Sequence, residues 1–452
     1  MARYPRMLAF SALLATMAAQ ATDTPTLRYT IKPVLANDAL TALDVTLDTQ
    51  VGSDGTLALK LGGKPEAIRS DATLDTGTAG IVTLKAAPGA RVSLHYRKGG
   101  AADLNGDIAV EPLLTAGWAH GPCGGMLAVP NDATPRLVEL GWTLPKGWRG
   151  VSSVTPGKPV AGKDLAWATC MVGSHLADVT RPIGTKGTLH VYTADPAAAT
   201  PLVDLVAKAL AIIAREAGGS GVDYPMFVST VNEPGEGFSE WNAGGFMAVM
   251  QRPGADVKQM LSPILQDYST LVAPPTKDPS IAWYTKGLRS YLAINDLLAA
   301  GTLSRRDVAS YLDNVSETYG NSAFRRASNA QVASDWETSP DIQALPALRG
   351  VLFGWLLDAQ LRQATGGKAC LADVLHKIPL DSADPAAALV AGVKATGGGD
   401  IAPLVDRYIV RGELLQLPPG ALGPCMSVTT AQDGYGWQVQ RITDTCTAST
   451  TP

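Results

Sequence analysis

Near residue 195 the apolar residues stop alternating and take up helical spacing, and that switch restricts the chain to a β-rich first part joined to a helical second part. From Thr26 to about Thr193 the runs are short, β-branched and alternating, as in Leu27 to Ile31, Ala42 to Leu47, Val92 to Tyr96 and Thr188 to Tyr192. Gly, Pro, Asn and Asp separate them, the punctuation of an antiparallel β domain. Asp195-Pro196 and Thr200-Pro201 then introduce a helical stretch from Leu202 to Ala217, closed by Gly218-Gly219. Further helices are expected over residues 286–300, 304–319, 329–336, 345–364 and 385–394, with Ser304 and Asp307 forming a capping box. One extended piece, Tyr224 to Val231, lies among them. The last forty or so residues, rich in Gly and Pro, read as irregular structure held by a disulfide. The expected class is α+β multidomain, an N-terminal antiparallel β domain followed by a mainly helical one. The expected divisions are a leader over 1–21, a β domain over 22–195, a helical domain over 196–415 and a terminal segment over 416–452.

The leader is expected from Arg3 and Arg6, the apolar run Met7 to Ala19 and the small-residue site Ala19-Gln20-Ala21. It implies export, periplasmic or extracellular, and no later stretch is expected to cross a membrane. The formal charge falls from −4 to −6 when Arg3 and Arg6 leave with it, and no concentrated basic face argues for a nucleic-acid partner. Of the five cysteines, Cys425 with Cys446 is the first pair expected, because they bracket the terminal segment, and Cys123 with Cys170 the second. Cys370 is expected as a buried thiol.

Several phrases, in shared order, resemble the glycyl aminopeptidase family of thermolysin-like zinc peptidases. Trp142-Thr143-Leu144-Pro145-Lys146-Gly147-Trp148 is similar to a turn in that family's β domain. Trp283-Tyr284-Thr285-Lys286-Gly287-Leu288-Arg289-Ser290-Tyr291, continuing through Leu297 to Ser304, looks like its Trp-x-x-Glu-Gly-Phe-Thr-x-Tyr helix. Arg349-Gly350, Leu356 to Arg362, Leu371 to Leu375 and Tyr408 to Gly412 resemble segments near the end of its catalytic domain. The resemblance spans most of residues 26 to 415 and implies a thermolysin-like helical domain. The PDZ domain that often follows in the family is not expected in the forty or so residues after Gly412.

The family's zinc needs His-Glu-x-x-His and a later glutamate. No two of His95, His120, His175, His190 and His376 have that spacing. Through the resemblance, Pro263 and Asp267 fall at the histidine positions, Ile264 at the general base and Lys286 at the third ligand. Met247 and Ala248 fall where Gly-Gly-x-Glu-His has its polar pair, and Ala347 precedes Arg349-Gly350 in place of the oxyanion tyrosine. Ser262-Pro263 reads as the start of a helix. The resemblance therefore implies an inactive relative that holds no cofactor, with Gly244, Gly245 and Phe246 as candidate binding residues and a peptide or an envelope protein as partner. Asp267 and Lys286 are expected to pair where zinc would sit. Two alternatives stay open: an active zinc aminopeptidase with an unrecognised metal site, and a hydrolase of different chemistry. Glu233, Glu236 and Glu240 form an acidic cluster read as a solvated loop. Gly397-Gly398-Gly399 and Gly218-Gly219-Ser220-Gly221 are read as turns.

Overall fold

The computed structural model describes residues 25–101, 111–216, 218–219, 221–231, 237–242, 245–272, 278–336, 338–379, 382–432 and 436–446. The leader over 1–21, Gly244, Glu233 and Glu236 lie outside them. The chain folds as α+β, with β-sheets first and helices after.

Strand Thr26–Ala36 buries Leu27, Tyr29 and Ile31 on one face while the intervening residues face out. It turns back onto Ala39–Gln50 through Asn37 and Asp38, both at positive φ (49° and 63°). That is the twist a two-residue hairpin needs, and Asn and Asp tolerate it. These strands sit at the centre of a six-stranded sheet with Arg136–Trp142, Arg91–Lys98, Glu66–Ser70 and Pro159–Val160. Two four-stranded sheets complete the β region, one of them built on Trp118–Pro122 and Thr169–Ser174. The turn expected before Trp148 is present: the Trp148 amide donates to the Pro145 carbonyl at 3.1 Å, with Gly147 at φ 84°. Cys123 and Cys170 are disulfide-bonded in the core of this region, both with no exposed surface.

The division expected at residue 195 falls within one structural unit. Strands Ala177–Ile183 and Gly187–Thr193 precede it, yet they join Tyr224–Thr230, Met247–Gln251 and Phe238–Trp241 in a single five-stranded sheet. Its three middle strands are parallel, and parallel neighbours need a crossover, which helix Pro196–Glu216 supplies. Alternation alone reads the first two strands as part of the N-terminal domain, because it carries no information on which sheet a strand joins.

Helix Pro196–Glu216 also corrects the expectation about membrane crossing, since residues Pro196–Arg215 are long and apolar enough to span a bilayer by length and composition. Here the helix is a core element. Leu202, Val203, Val206, Leu210 and Ile213 pack into the main core, and outward-facing Asp204 pairs with Arg181 at 2.8 Å.

The helices after residue 260 run Leu261–Val272, Arg289–Ala299, Arg305–Asn321, Asn329–Ser334, Pro340–Thr365 and Pro385–Ala395. The Ser304/Asp307 capping box forms as expected, the Asp307 amide donating to Ser304 Oγ at 3.2 Å. The stretch expected to open a helix at Lys286 is instead a π-helical turn, Trp283–Leu288. The terminal segment is more regular than its composition suggests: Met426–Gln432 and Gln438–Asp444 form a hairpin, with Cys425 and Cys446 bonded across its base. Val439 and Ile442 are buried against the body, and the side chain of Val439 lies over Gly320. Alternating polar and apolar residues there let one face pack while the other stays wet.

Candidate functional site

The parts of the site come from two helical turns and two strands of the five-stranded sheet that have one strand between them. Helix Leu261–Val272 begins where Ser262-Pro263 predicts a start and puts Ile264 and Tyr268 in the core. Asp267, one turn on from Ile264 and beside Tyr268, is only 6% exposed. It accepts a hydrogen bond from Tyr224 Oη at 2.8 Å, and a bond from the Gly245 backbone also favours its charged form. The Tyr224 ring meets Tyr268 edge-on at 5.5 Å. Tyr268 Oη accepts from the Val222 amide at 3.1 Å, which fixes the strand entering at Tyr224 against the helix.

Lys286 comes from the π-helical turn. A π-turn places one extra residue in the helical circuit, so its side chains leave at angles a regular helix cannot give. It persists because helix Pro340–Thr365 crosses it at near-backbone contact: a Cβ on Gly350 would lie 2.1 Å from the Trp283 carbonyl oxygen, and one on Gly287 would lie 2.5 Å from Gly350 Cα. Lys286 Nζ lies 5.5 Å from the centre of the Trp336 ring, a favourable place for an ammonium in a poorly hydrated site.

Burial dominates the electrostatics. It pushes Asp267 up to about 6, against the lowering effects of the Tyr224 hydrogen bond and the Lys286 charge. Burial likewise lowers Lys286, and the Asp267 charge raises it again. The two expected partners are thus electrostatically coupled, and their directly defined contacts are Tyr224 for the carboxylate and Trp336 for the ammonium. Glu240 joins them from edge strand Phe238–Trp241. It keeps solvent exposure, but the crowded surroundings of its carboxylate, and then the Asp267 charge, raise its pKa.

The remaining positions named from sequence fall as follows. Pro263 is in the first turn of its helix and Ile264 is fully buried. Ala347 is buried where helix Pro340–Thr365 meets Gly287. Met247 and Ala248 are fully buried on an inner strand between Tyr224–Thr230 and Phe238–Trp241. They cannot frame a cleft, because the strand outside them occupies that edge. The edge residues are Gly237-Phe238-Ser239-Glu240-Trp241, which meet the Gly-Gly-x-Glu-His spacing at its first Gly and its Glu, where residues 244 to 248 meet it at the two Gly. Phe246 is buried too, edge-on to Phe227 at 6.0 Å, and so offers no free surface.

Sequence reasoning gave no sign of a second polar cluster, which ties the β region to the five-stranded sheet. His120 Nδ1 and Ser229 Oγ are 2.8 Å apart, His120 Nε2 and Thr169 Oγ1 3.5 Å, and Trp241 tilts against the imidazole at 5.1 Å. All three polar residues are buried, and burial lowers His120 to about 3, leaving a neutral ring. Residues 109 apart in sequence carry no spacing signal.

A catalytic zinc takes three protein N, O or S ligands at roughly 2.0–2.3 Å. At Pro263, Ile264, Asp267 and Lys286 the side chains are a proline, an isoleucine, a carboxylate already bonded to a phenol and an ammonium, which do not fit that ion. Among the described residues no three His, Cys, Asp or Glu side chains converge.

The sequence matches no protein-family profile and no curated protein. The fold is similar to solved structures. An aminopeptidase N family protein from Idiomarina loihiensis superposes with a TM-score of 0.58 at 15% identity, over 90% of this chain and 79% of that one. The M1 zinc metallopeptidase of Deinococcus radiodurans gives 0.45 at 16% identity, over 87% and 95% of the two chains. A two-domain M1 zinc metallopeptidase E323A mutant bound to L-tryptophan gives 0.45 at 17%, over 88% and 96%. The first of these shows an aminopeptidase-like fold.

Proposed function

We propose that this chain is an exported, catalytically retired relative of the zinc aminopeptidases that binds a peptide or an envelope protein through its former substrate cleft. The observation that carries this reading is Lys286. An ammonium occupies the position that the family resemblance gives to the third ligand, and its charge is coupled to Asp267 at a second ligand position. A fixed positive charge there opposes a divalent cation at every pH at which the lysine is protonated. Ile264, at the general-base position, has no atom that can take a proton from water.

Binding would use what the cleft retains. Edge strand Phe238–Trp241 has an outer side on which an extended peptide could pair. Glu240 and Asp267 together carry the negative potential that an amino terminus would meet. Export rests on the leader-like residues 1–21 and is supported by the two disulfides, which suit an oxidising compartment.

The test is elemental analysis of the purified protein, with turnover assays and calorimetry on a panel of glycyl and alanyl peptides. The reading expects less than about 0.1 zinc per chain, no hydrolysis, and micromolar binding weakened about tenfold by Glu240→Gln. Stoichiometric zinc with turnover would restore the active-peptidase reading. Turnover without zinc would favour a hydrolase of other chemistry.

A further inference from the structure

Helix Arg305–Asn321 and the terminal hairpin border an open cavity of about 770 Å³, built from other elements than those around Asp267. Arg305, Arg306, Ser310, Thr443 and Thr445 line it, and so does Cys446, half of the Cys425–Cys446 disulfide. The two acids on its wall are already engaged. Asp313 is held by Arg441 at 2.6 Å and by the Ile442 amide at 2.8 Å, and Asp444 accepts from the Cys446 amide at 3.1 Å. With Asp313 paired to Arg441, the two cavity arginines outnumber Asp444, whose carboxylate keeps its charge. The other sulfur does not line the cavity. Instead Arg305 Nη1 approaches Cys425 Sγ at 3.4 Å.

This arrangement is directional. In thiol–disulfide exchange the entering thiolate, the attacked sulfur and the leaving sulfur lie roughly in line, and the reaction runs faster when the leaving thiolate is stabilised. Cys446 is the half of the disulfide that belongs to the cavity wall, and Cys425 is the half whose sulfur lies against a guanidinium. We propose that Cys425–Cys446 is an exchange site for small thiols bearing carboxylates, which enter beside Arg305 and Arg306 and attack Cys446. The entering thiolate forms a bond to Cys446 Sγ, the Sγ–Sγ bond breaks, and Cys425 leaves with the electron pair as a thiolate against Arg305. The entering thiol has already given its proton to water, so one disulfide replaces another and no further reactant is needed. A second equivalent of thiol would complete the reduction.

The rest of the hairpin does not depend on that bond. Arg441 bridges it to Asp313 and to Glu317 at 2.9 Å, and Val439 and Ile442 are buried beneath it. Exchange can therefore proceed on the folded chain. Cys123–Cys170, with both cysteines fully buried, serves as an internal control.

The test treats the full chain with glutathione, which carries two carboxylates, or with cysteamine, which carries an ammonium, at matched thiolate concentrations. Samples are quenched with an alkylating agent and mapped by mass spectrometry. The proposal expects glutathione on Cys446, an alkylated Cys425, an intact Cys123–Cys170, and a rate for glutathione at least ~5-fold above that for cysteamine. Arg306→Gln should bring the two rates together. Arg305→Gln should slow both several-fold, and Arg305→Lys should recover most of the loss. Adducts on Cys425, equal rates for the two thiols in the native chain, or reaction only when Cys123–Cys170 opens as well would each overturn it. Because the comparison of thiols uses the native chain, it stands whether or not the variants fold.

Discussion

Tyr224 donates its hydroxyl to Asp267 at 2.8 Å, joining the first residue of an inner strand to helix Leu261–Val272. The bond gives a buried carboxylate a partner that no cation needs to supply. It also explains why Asp267 tolerates 6% exposure, since a buried charge with neither hydrogen bond nor counter-charge would be expelled or neutralised.

The first prediction concerns pH. Asp267 rises from 3.8 to about 6 on folding, so the native state holds its proton more tightly than the unfolded chain does. The stability from this group is fully present below pH ~4 and is lost as pH rises through about 6, a change of about 3 kcal/mol at most. Asp267→Asn keeps an acceptor for Tyr224 and removes the titration. The difference in unfolding free energy between variant and wild type, from urea titrations, should therefore grow in the variant's favour between pH 4 and 7. A difference that stays flat across that range would contradict the assignment.

His120 predicts the opposite slope. Its folded value lies near 3, below the ordinary 6.5, so its contribution is present above pH ~6.5 and is lost as pH falls toward 3, by up to about 5 kcal/mol. His120→Gln should be destabilised at pH 7.5, where it loses the contact to Ser229, and should lose less further stability on acidification than wild type. Imidazole nitrogen shifts followed by NMR from pH 8 to 4 check this directly, since the ring should stay neutral throughout.

How far the sequence reached depends on the range of each signal. Periodicity located the helices after residue 285, because helical spacing is a local pattern. The capping pair Ser304 and Asp307 and both disulfides are also as expected. Lys286 was singled out by a phrase that resembles one in a known family, and Asp267 by counting back from that phrase. Glu240 was read as a loop residue, and Met247 was given a site position, because choosing between an edge and an inner strand needs the sheet order. The His120–Ser229 contact and the cavity beside Cys446 are made by residues distant in sequence, and no spacing rule reports on those.

The Cys123–Cys170 bond closes a loop of 47 residues within the β core. By the chain-entropy estimate its removal costs about 4 kcal/mol. Replacing both cysteines by alanine should lower the unfolding free energy of the β region, taken from urea titrations, by that order. A cost under about 1 kcal/mol would mean that the surrounding apolar packing alone fixes these strands.

The Gly287–Gly350 crossing is what holds Lys286 on a π-helical turn. A methyl group on Gly350 would lie 2.1 Å from the Trp283 carbonyl oxygen and 2.8 Å from Gly287 Cα. Both are backbone atoms, so no side chain can swing away, and the helix and the turn must move apart. Gly350→Ala should therefore cost about 2–4 kcal/mol. Gly99→Ala is the control, since a Cβ there meets nothing within 4 Å, and it should change stability by less than about 0.5 kcal/mol. The turn would relax toward a regular helix as the two segments separate, shifting Lys286 away from Trp336. Gly350→Ala should then also change the quenching of tryptophan fluorescence between pH 7 and 10, while Gly99→Ala leaves it alone. If Gly350→Ala unfolds at the same urea concentration as wild type, the close crossing is not what sets the position of the lysine.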